Sequence, residues 1–429
     1  MKNYLFLLTA ILFIASCKKD EQTTPPTPIV FVHGLLASSD TYANTVMRFT
    51  SNGYPADRLF AFDYNSLNYL SAQSLDTAGL DDFIDAVLQT TGATQVNLVG
   101  HSLGGTTGYA YLSTAAHAAK VARYAHLASG PQDSLPGPHA DKKPTLNVYS
   151  TADSVTHGAD IPGATNLVLS GKDHYQVATC QESFEALYKF LNENQSPSTL
   201  QITPQTDVKI SGKVVTLGEN TPKPNATVKA FEVNKNTGER LSSTPAFTLT
   251  LNSKGEWGPY NVTSDKYYEF EINPNDTSER IIHYYYESFF HDNPLVYLRT
   301  LPPPTGTAGL LVNSLPKDDA RAVVVLFTSS QATIYNRDSL SVDGNILSTE
   351  DFCSQDDNTI AFFIYDDGDH VTTVTSPNPL FSAYPFLEAA DIYFQTATPQ
   401  SIQCRFNSRN LFVRNWKSHT EGVSIAVFN

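Results

Sequence analysis

The chain is poor in cysteine: four among 429 residues, at positions 17, 180, 353 and 404. So few cannot form a dense disulfide framework, and no Cys/His spacing matches a zinc site. Positive charge is also short. Lys and Arg number 28 against 43 Asp and Glu, for a formal charge of −15. A surface of that sign disfavours nucleic acid and anionic membrane patches as partners. Long apolar runs are lacking too. The run Tyr4 to Ile14 falls well short of the ~20 residues that span a bilayer as a helix. It follows Lys2, and it fits a secretory signal.

That run ends in Ile14-Ala15-Ser16-Cys17, which resembles the bacterial lipoprotein signal. The resemblance implies cleavage of residues 1–16 and acylation of Cys17, hence an exported cell-envelope lipoprotein held to a membrane by its acyl chains. An ordinary cleaved signal with a stray cysteine is the alternative. Residues 17–28, polar and proline-rich, read as a tether. Export permits disulfides. Cys353 and Cys404 could then pair and leave Cys180 over; three free thiols are the other possibility.

The composition is that of a globular protein, 41% apolar and 17% charged. From 29 to 194, short apolar runs alternate with helical patterns. Ile29–Val32, Leu59–Phe62, Val96–Val99, Tyr124–Leu127, Leu146–Tyr149 and Leu167–Leu169 read as buried strands. Thr41–Ser51, the stripe Leu80, Phe83, Ile84, Val87, Leu88, and the stripe Phe184, Leu187, Phe190, Leu191 read as helices. The alternation predicts an α/β domain with a mostly parallel sheet. Residues 195–206 read as a polar linker, and an all-β region follows. Alternating strands over 207–280 resemble a transthyretin-like sandwich, and 281–429 reads as a second β-rich unit.

Within the first domain, "VNLVGHSLGG" (Val96 to Gly105) raises the question of chemistry. Gly-x-Ser-x-Gly arises by chance in roughly one chain in seven of this length, so context must decide. Here a strand enters the motif and a Gly/Ala-rich helical pattern, Leu103 to His117, leaves it. That is the setting of a nucleophile elbow, which would present Ser102 at the positive end of a helix. An oxyanion hole would take the N–H of Leu103, and a second N–H from the loop after an earlier strand. "PIVFVHGLLASS" supplies Leu35. The chain order nucleophile, acid, histidine selects Asp153, just after a strand, and His174, before the last helix. Asp173 adjoins His174 in sequence, Asp160 is farther from a strand end, His157 breaks the order and His101 flanks the elbow. His117, His126, His283, His291, His370 and His419 read as surface or satisfied core residues.

Residues 29–192 resemble the α/β-hydrolase fold, and within it the small bacterial lipases of the Bacillus lipase A type. The resemblance rests on "PIVFVHGLLASSDTY", "LFAFDY", "TGATQVNLVGHSLGG", "VYSTADSVT" and the "DH" loop, in that order. It implies Ser102 as nucleophile, Asp153 as acid, His174 as base, Leu35 and Leu103 as oxyanion donors, and neither cofactor nor metal. Gly100 stands where that subfamily more often has alanine, a change that reads as harmless. The implied activity is a lipase or carboxylesterase acting on acyl esters, at a lipid or polymer surface. A polyester depolymerase, a polysaccharide-deacylating esterase and a non-catalytic binding lipoprotein are the alternatives. The layout also resembles some archaeal lipases, whose β domain shields the site. "HYYYESFFHDN" and "LFSAYPFLEAADIYF" would serve as a polymer-binding face or, more simply, as sandwich core. "YDDGDH" (Tyr365 to His370) could bind Ca²⁺, with a solvated hairpin turn as the simpler reading.

Overall fold

The computed structural model describes residues 25–302 and 308–429. The expected signal segment, Cys17 and most of the tether lie outside the described residues. The last tether residues are docked: Tyr54 Oη donates to Thr27 O at 2.5 Å, and Asn97 N to Pro28 O at 2.7 Å.

The first domain holds six strands, β1 (Ile29–Val32), β2 (Leu59–Phe62), β3 (Val96–His101), β4 (Val121–Leu127), β5 (Thr145–Ser150) and β6 (Thr165–Leu169). They form one all-parallel sheet in the order β2-β1-β3-β4-β5-β6. β1 and β3 are buried at every residue, because helices cover both faces. The helices are α1 (Ala43–Ser51), α2 (Asn68–Ala72), α3 (Thr77–Thr91), α4 (Leu103–Tyr111), α5 (Ala115–Ala119), α6 (Gln176–Thr179) and α7 (Gln181–Leu191). Val46, Phe49, Phe184 and Leu187 pack on one face of the sheet; Leu80, Ile84, Val87 and Leu98 lie in the cluster on the other. The helix expected over Leu103–His117 is broken. Thr114 caps α5 by accepting from His117 N, and this starts a separate helix.

The expected linker is not free. Asn52 Oδ1 accepts from Thr199 N at 3.0 Å and Ser198 Oγ at 2.8 Å, and Arg48 Nε donates to Leu200 O. Residues 198–200 are thereby pinned to the end of α1.

The β region is a three-layer stack. Its middle layer is an eight-stranded sheet in the order Leu387–Asp391, Ala361–Tyr365, Val324–Thr328, Val423–Phe428, Ile282–Tyr286, Tyr267–Asn273, Thr227–Val233, Phe247–Leu249. A three-stranded sheet (Glu256–Val262, Val208–Thr216, Asn293–Thr300) packs on one face. A four-stranded sheet (Asn345–Ile346, Leu340–Val342, Ser401–Phe406, Arg409–Arg414) packs on the other. Along one strand Val323 and Val325 enter the first core while Val324 and Leu326 enter the second. The uninterrupted apolar sequence there reflects a sheet buried on both sides.

One expectation needs correction, and one open alternative is decided. The division at 280/281 falls inside this architecture: Ile282–Tyr286 pairs with Tyr267–Asn273, and Asn293–Thr300 pairs in parallel with Val208–Thr216. The first sandwich therefore runs on to residue 300. Cys353 and Cys404 do not pair; both are free and buried in one apolar cluster. The Cys353 thiol donates instead to Leu347 O at 3.3 Å, and burial pushes both thiols up.

Candidate active site

The candidate residues gather at the carboxyl ends of the parallel strands, where α/β sheets place their ligands. Ser102 sits between β3 and α4 with φ 55° and ψ −124°. A non-glycine residue held at such a positive φ costs ~1–3 kcal/mol. The surroundings impose it. Ser102 N donates to Leu127 O at 2.9 Å, and Ser102 O accepts from Gly105 N and from Ser129 Oγ at 2.8 Å.

The motif's glycines are explained by close approach. A Cβ on Gly104 would lie 2.2 Å from Val32 O, and one on Gly100 would lie 2.4 Å from Gly104 O. Alanine at 100 is thus excluded by this backbone, so the glycine is a requirement here rather than a harmless change. Gly34 matters likewise, since its Cβ would come 2.9 Å from Ser102 Cβ. This loop therefore runs against the serine. Leu35 follows it directly, and Leu36 N is tied to Ser66 Oγ at 3.0 Å. The N–H groups of Leu35 and Leu103 make no hydrogen bond among the described residues.

Asp153 and His174 meet as expected: His174 Nδ1 donates to Asp153 Oδ2 at 2.9 Å, and both are buried. Asp153 also accepts from Val155 N at 2.9 Å and Thr156 Oγ1 at 2.8 Å. Burial raises its pKa, but these hydrogen bonds and the His174 charge outweigh that effect and hold it at about 2. It is a carboxylate able to orient the imidazole and stabilise its cation. The bond at Nδ1 leaves Nε2 of His174 for a substrate-side proton. Ser102 Oγ has no hydrogen-bond partner among the described residues. The His–Asp half of the constellation is thus closed and the Ser–His half is open.

The flanking histidine has a structural part. His101 Nε2 donates to His174 O at 3.0 Å, and the rings lie 4.7 Å apart. Burial first, then the His174 charge, lowers His101 to about 3. Of the other candidates, Asp173 lies 2.8 Å from Arg337, Asp160 accepts from Tyr149 Oη, and His157 is exposed.

Sequence reading missed the groups that the β region contributes. Asn358 Oδ1 accepts from His174 N at 3.1 Å. The Phe386 ring stacks on His174, with centroids 5.8 Å apart and planes at 4°. Phe386 itself has φ +71°, strained for an aromatic residue. Asn220 accepts from Ser38 Oγ and donates to Ala37 O and Tyr64 O, bracing the Leu35 loop. Partly buried ion pairs, Arg299–Asp40 at 2.6 Å and Lys213–Asp63 at 2.7 Å, bind the same edge. Ser102 is in consequence only 8% exposed. No local sequence signal marks these residues, because each acts across 150 positions or more. The aromatic stretches are mostly core: Tyr284, Tyr285, Tyr286, Phe381 and Phe394 are buried.

The family comparisons agree with this geometry. Residues 26–114 match the model for class 2 lipases, and residues 206–303 match the lipase C-terminal domain. The start of the first domain is thus similar to class 2 lipases, and the first part of the β region to a lipase C-terminal domain. A further C-terminal-domain model matches residues 327–429. The two β-region matches divide it after residue 303, close to the end of the strand Asn293–Thr300. Solved structures similar to the hydrolase part include the mature lipase BlEst2 of Bacillus licheniformis, 17% identical over 39% of this chain and 92% of its own, with a TM-score of 0.31. The carboxylesterase CesB of Bacillus subtilis is 15% identical over 39% of this chain and 84% of its own, at 0.29. A CIB-like hydrolase of Thermoplasma acidophilum is 18% identical over 40% and 88%, at 0.31.

Proposed function

We propose that this lipase-like chain hydrolyses acyl esters through an acyl-enzyme on Ser102. The observation that carries the reading is the His174–Asp153 hydrogen bond at the sheet edge where Ser102 stands in its positive-φ turn. His174 Nε2 takes the proton of Ser102 Oγ as the oxygen attacks the ester carbonyl. Asp153 holds the ring through Nδ1–H and stabilises the imidazolium. The N–H groups of Leu35 and Leu103, free of partners among the described residues, receive the oxyanion; one such donor contributes ~10²–10³ in rate. His174 returns the proton to the leaving alcohol; water, giving a proton to His174, then attacks the acyl carbon, and His174 passes that proton to Ser102 Oγ as the acyl–oxygen bond breaks and the acid leaves. No step calls on a cofactor.

The substrate class is read from the walls. Beside the oxyanion loop lies a small cavity of about 60 Å³, with one wall of Leu36, Tyr175, Leu217, Phe327, Ile360 and Val427 and another that carries the Asp40–Arg299 pair and several hydroxyls. The first wall suits an acyl chain. The volume is far below the ~300–1,000 Å³ of ordinary ligand pockets, so a long acyl chain requires the β region to yield around Phe386. Export and acylation of Cys17 belong to the same proposal and rest on Ile14 to Cys17. A diacylated N-terminal peptide beginning at Cys17, seen by mass spectrometry of the membrane-bound protein, is their expected signature; an unmodified one would remove them.

The test is hydrolysis of p-nitrophenyl esters from acetate to palmitate by wild type and Ser102→Ala. Loss of a triad member should cost roughly 10⁴–10⁶ in rate. Equal activity in both proteins would refute the role of Ser102.

A further inference from the structure

The strands Ala361–Tyr365 and Leu387–Asp391 run parallel in the middle sheet, with Tyr365 opposite Asp391. Their carboxyl ends therefore coincide. The first strand continues as Asp366-Asp367-Gly368-Asp369, so it passes into a crossover rather than the hairpin its sequence suggested. Carboxyl oxygens of Asp366, Asp367 and Asp391 lie within 4.8 Å of one another.

The decisive feature is Asp366. The residue is fully buried at 0% exposure, and its Oδ1 has no hydrogen-bond partner. Its Oδ2 accepts from Gly368 N at 3.0 Å and lies 3.3 Å from Arg321 Nη1. Arg321 pairs with Asp366 Oδ2 at 3.3 Å and so offsets one of the cluster's three negative charges in part. Its Nε and Nη2 serve Asp318, and Nη1 is shared with Asp366 O at 3.0 Å. A buried carboxylate oxygen without a donor, beside two further carboxylates, is unfavourable unless a cation sits among them.

We propose that Asp366, Asp367 and Asp391 bind a hard divalent cation, and that Ca²⁺ is the ion they fit. The donors are all oxygen, which suits Ca²⁺ or Mg²⁺ and not the softer metals. Asp367 is exposed and Asp391 partly so, leaving room for water ligands in an irregular shell, which Ca²⁺ tolerates better than Mg²⁺. The bound ion would clamp the ends of two adjacent strands. One of them begins at Leu387, immediately after Phe386, the residue stacked on His174. The site is thus placed to hold the covering strand in register, without touching the reacting atoms.

The experiment is thermal unfolding and calorimetric titration of the chelator-treated full chain, with CaCl₂ and MgCl₂ at matched ionic strength. For a Kd of about 0.1 mM, about 10 mM Ca²⁺ should raise Tm by roughly 3 °C, and Mg²⁺ by less. Asp367→Asn and Asp391→Asn should fold and lose the Ca²⁺-dependent rise. Asp366 is left intact because it is buried. No rise and no binding heat in the wild type would overturn the proposal. So would a rise of the same size in both variants.

Discussion

Replacing Gly104 with alanine tests the argument that backbone contact fixes the nucleophile. The new Cβ would meet Val32 O at 2.2 Å and His33 O at 2.4 Å, both main-chain atoms of the strand that leads to the oxyanion loop. To relieve the nearer contact the two segments must part from 2.2 Å to the 3.4 Å at which ordinary contact begins, a shift of about 1.2 Å. Neither side is a flexible side-chain end, so the shift falls on α4, on Leu103, or on the Leu35 loop. A misplacement of ~1 Å costs ~10²-fold in rate. The overpacking itself costs ~1–3 kcal/mol. The assay is kcat/KM on p-nitrophenyl butyrate beside urea unfolding. Gly130→Ala serves as the control, since nothing lies within 4 Å of its Cβ. The expected result is a folded Gly104→Ala protein with activity down about a hundredfold and an unaltered control. Full activity in Gly104→Ala would show that this contact does not set the site.

Two further outcomes follow from the same geometry. Asp153, held at about 2 against an ordinary 3.8, should contribute roughly 2 kcal/mol of stability, present above about pH 4 and lost as the pH falls towards 2. His101 has the acid-labile sense too: its folded value of about 3 lies below the ordinary 6.5, so stability declines as the pH drops below about 6.5. Urea midpoints of wild type and Asp153→Asn across this range measure the first effect, and a parallel decline in both proteins would contradict it. Phe386→Ala removes the ring over His174 and should raise kcat/KM several-fold for long esters relative to acetate. An equal loss for all chain lengths would make Phe386 a support for His174 rather than a cover.

The hydrolase domain was legible because its rules are local. Each of the six apolar runs became a strand, and Asp153 and His174 could be chosen by their position after strands. The break at Leu112–Thr114 carries neither Gly nor Pro to announce it; Ser113 and the Thr114 cap are its only local marks. In the β region the alternation was readable but the pairing was not. One of the two partners of Val208–Thr216 is Asn293–Thr300, some eighty residues on and parallel, which no turn signal could announce. Asn220, Asn358 and Phe386 were invisible for the same reason. Their roles depend on how the stack docks on the sheet edge, and each sits at a positive φ that ordinary sequence patterns do not reveal. Glycine was more informative than it looked, since Gly34, Gly100 and Gly104 all mark backbone approaches around Ser102.

The most direct test of the central claim is covalent labelling. Full-length protein is treated with a fluorophosphonate ester near neutral pH, digested, and mapped by mass spectrometry. The account predicts an adduct on the peptide carrying Ser102, loss of ester hydrolysis in step with labelling, and neither in Ser102→Ala. Hydrolysis that persists after Ser102 is fully labelled, or label found on another serine in step with inactivation, would contradict it.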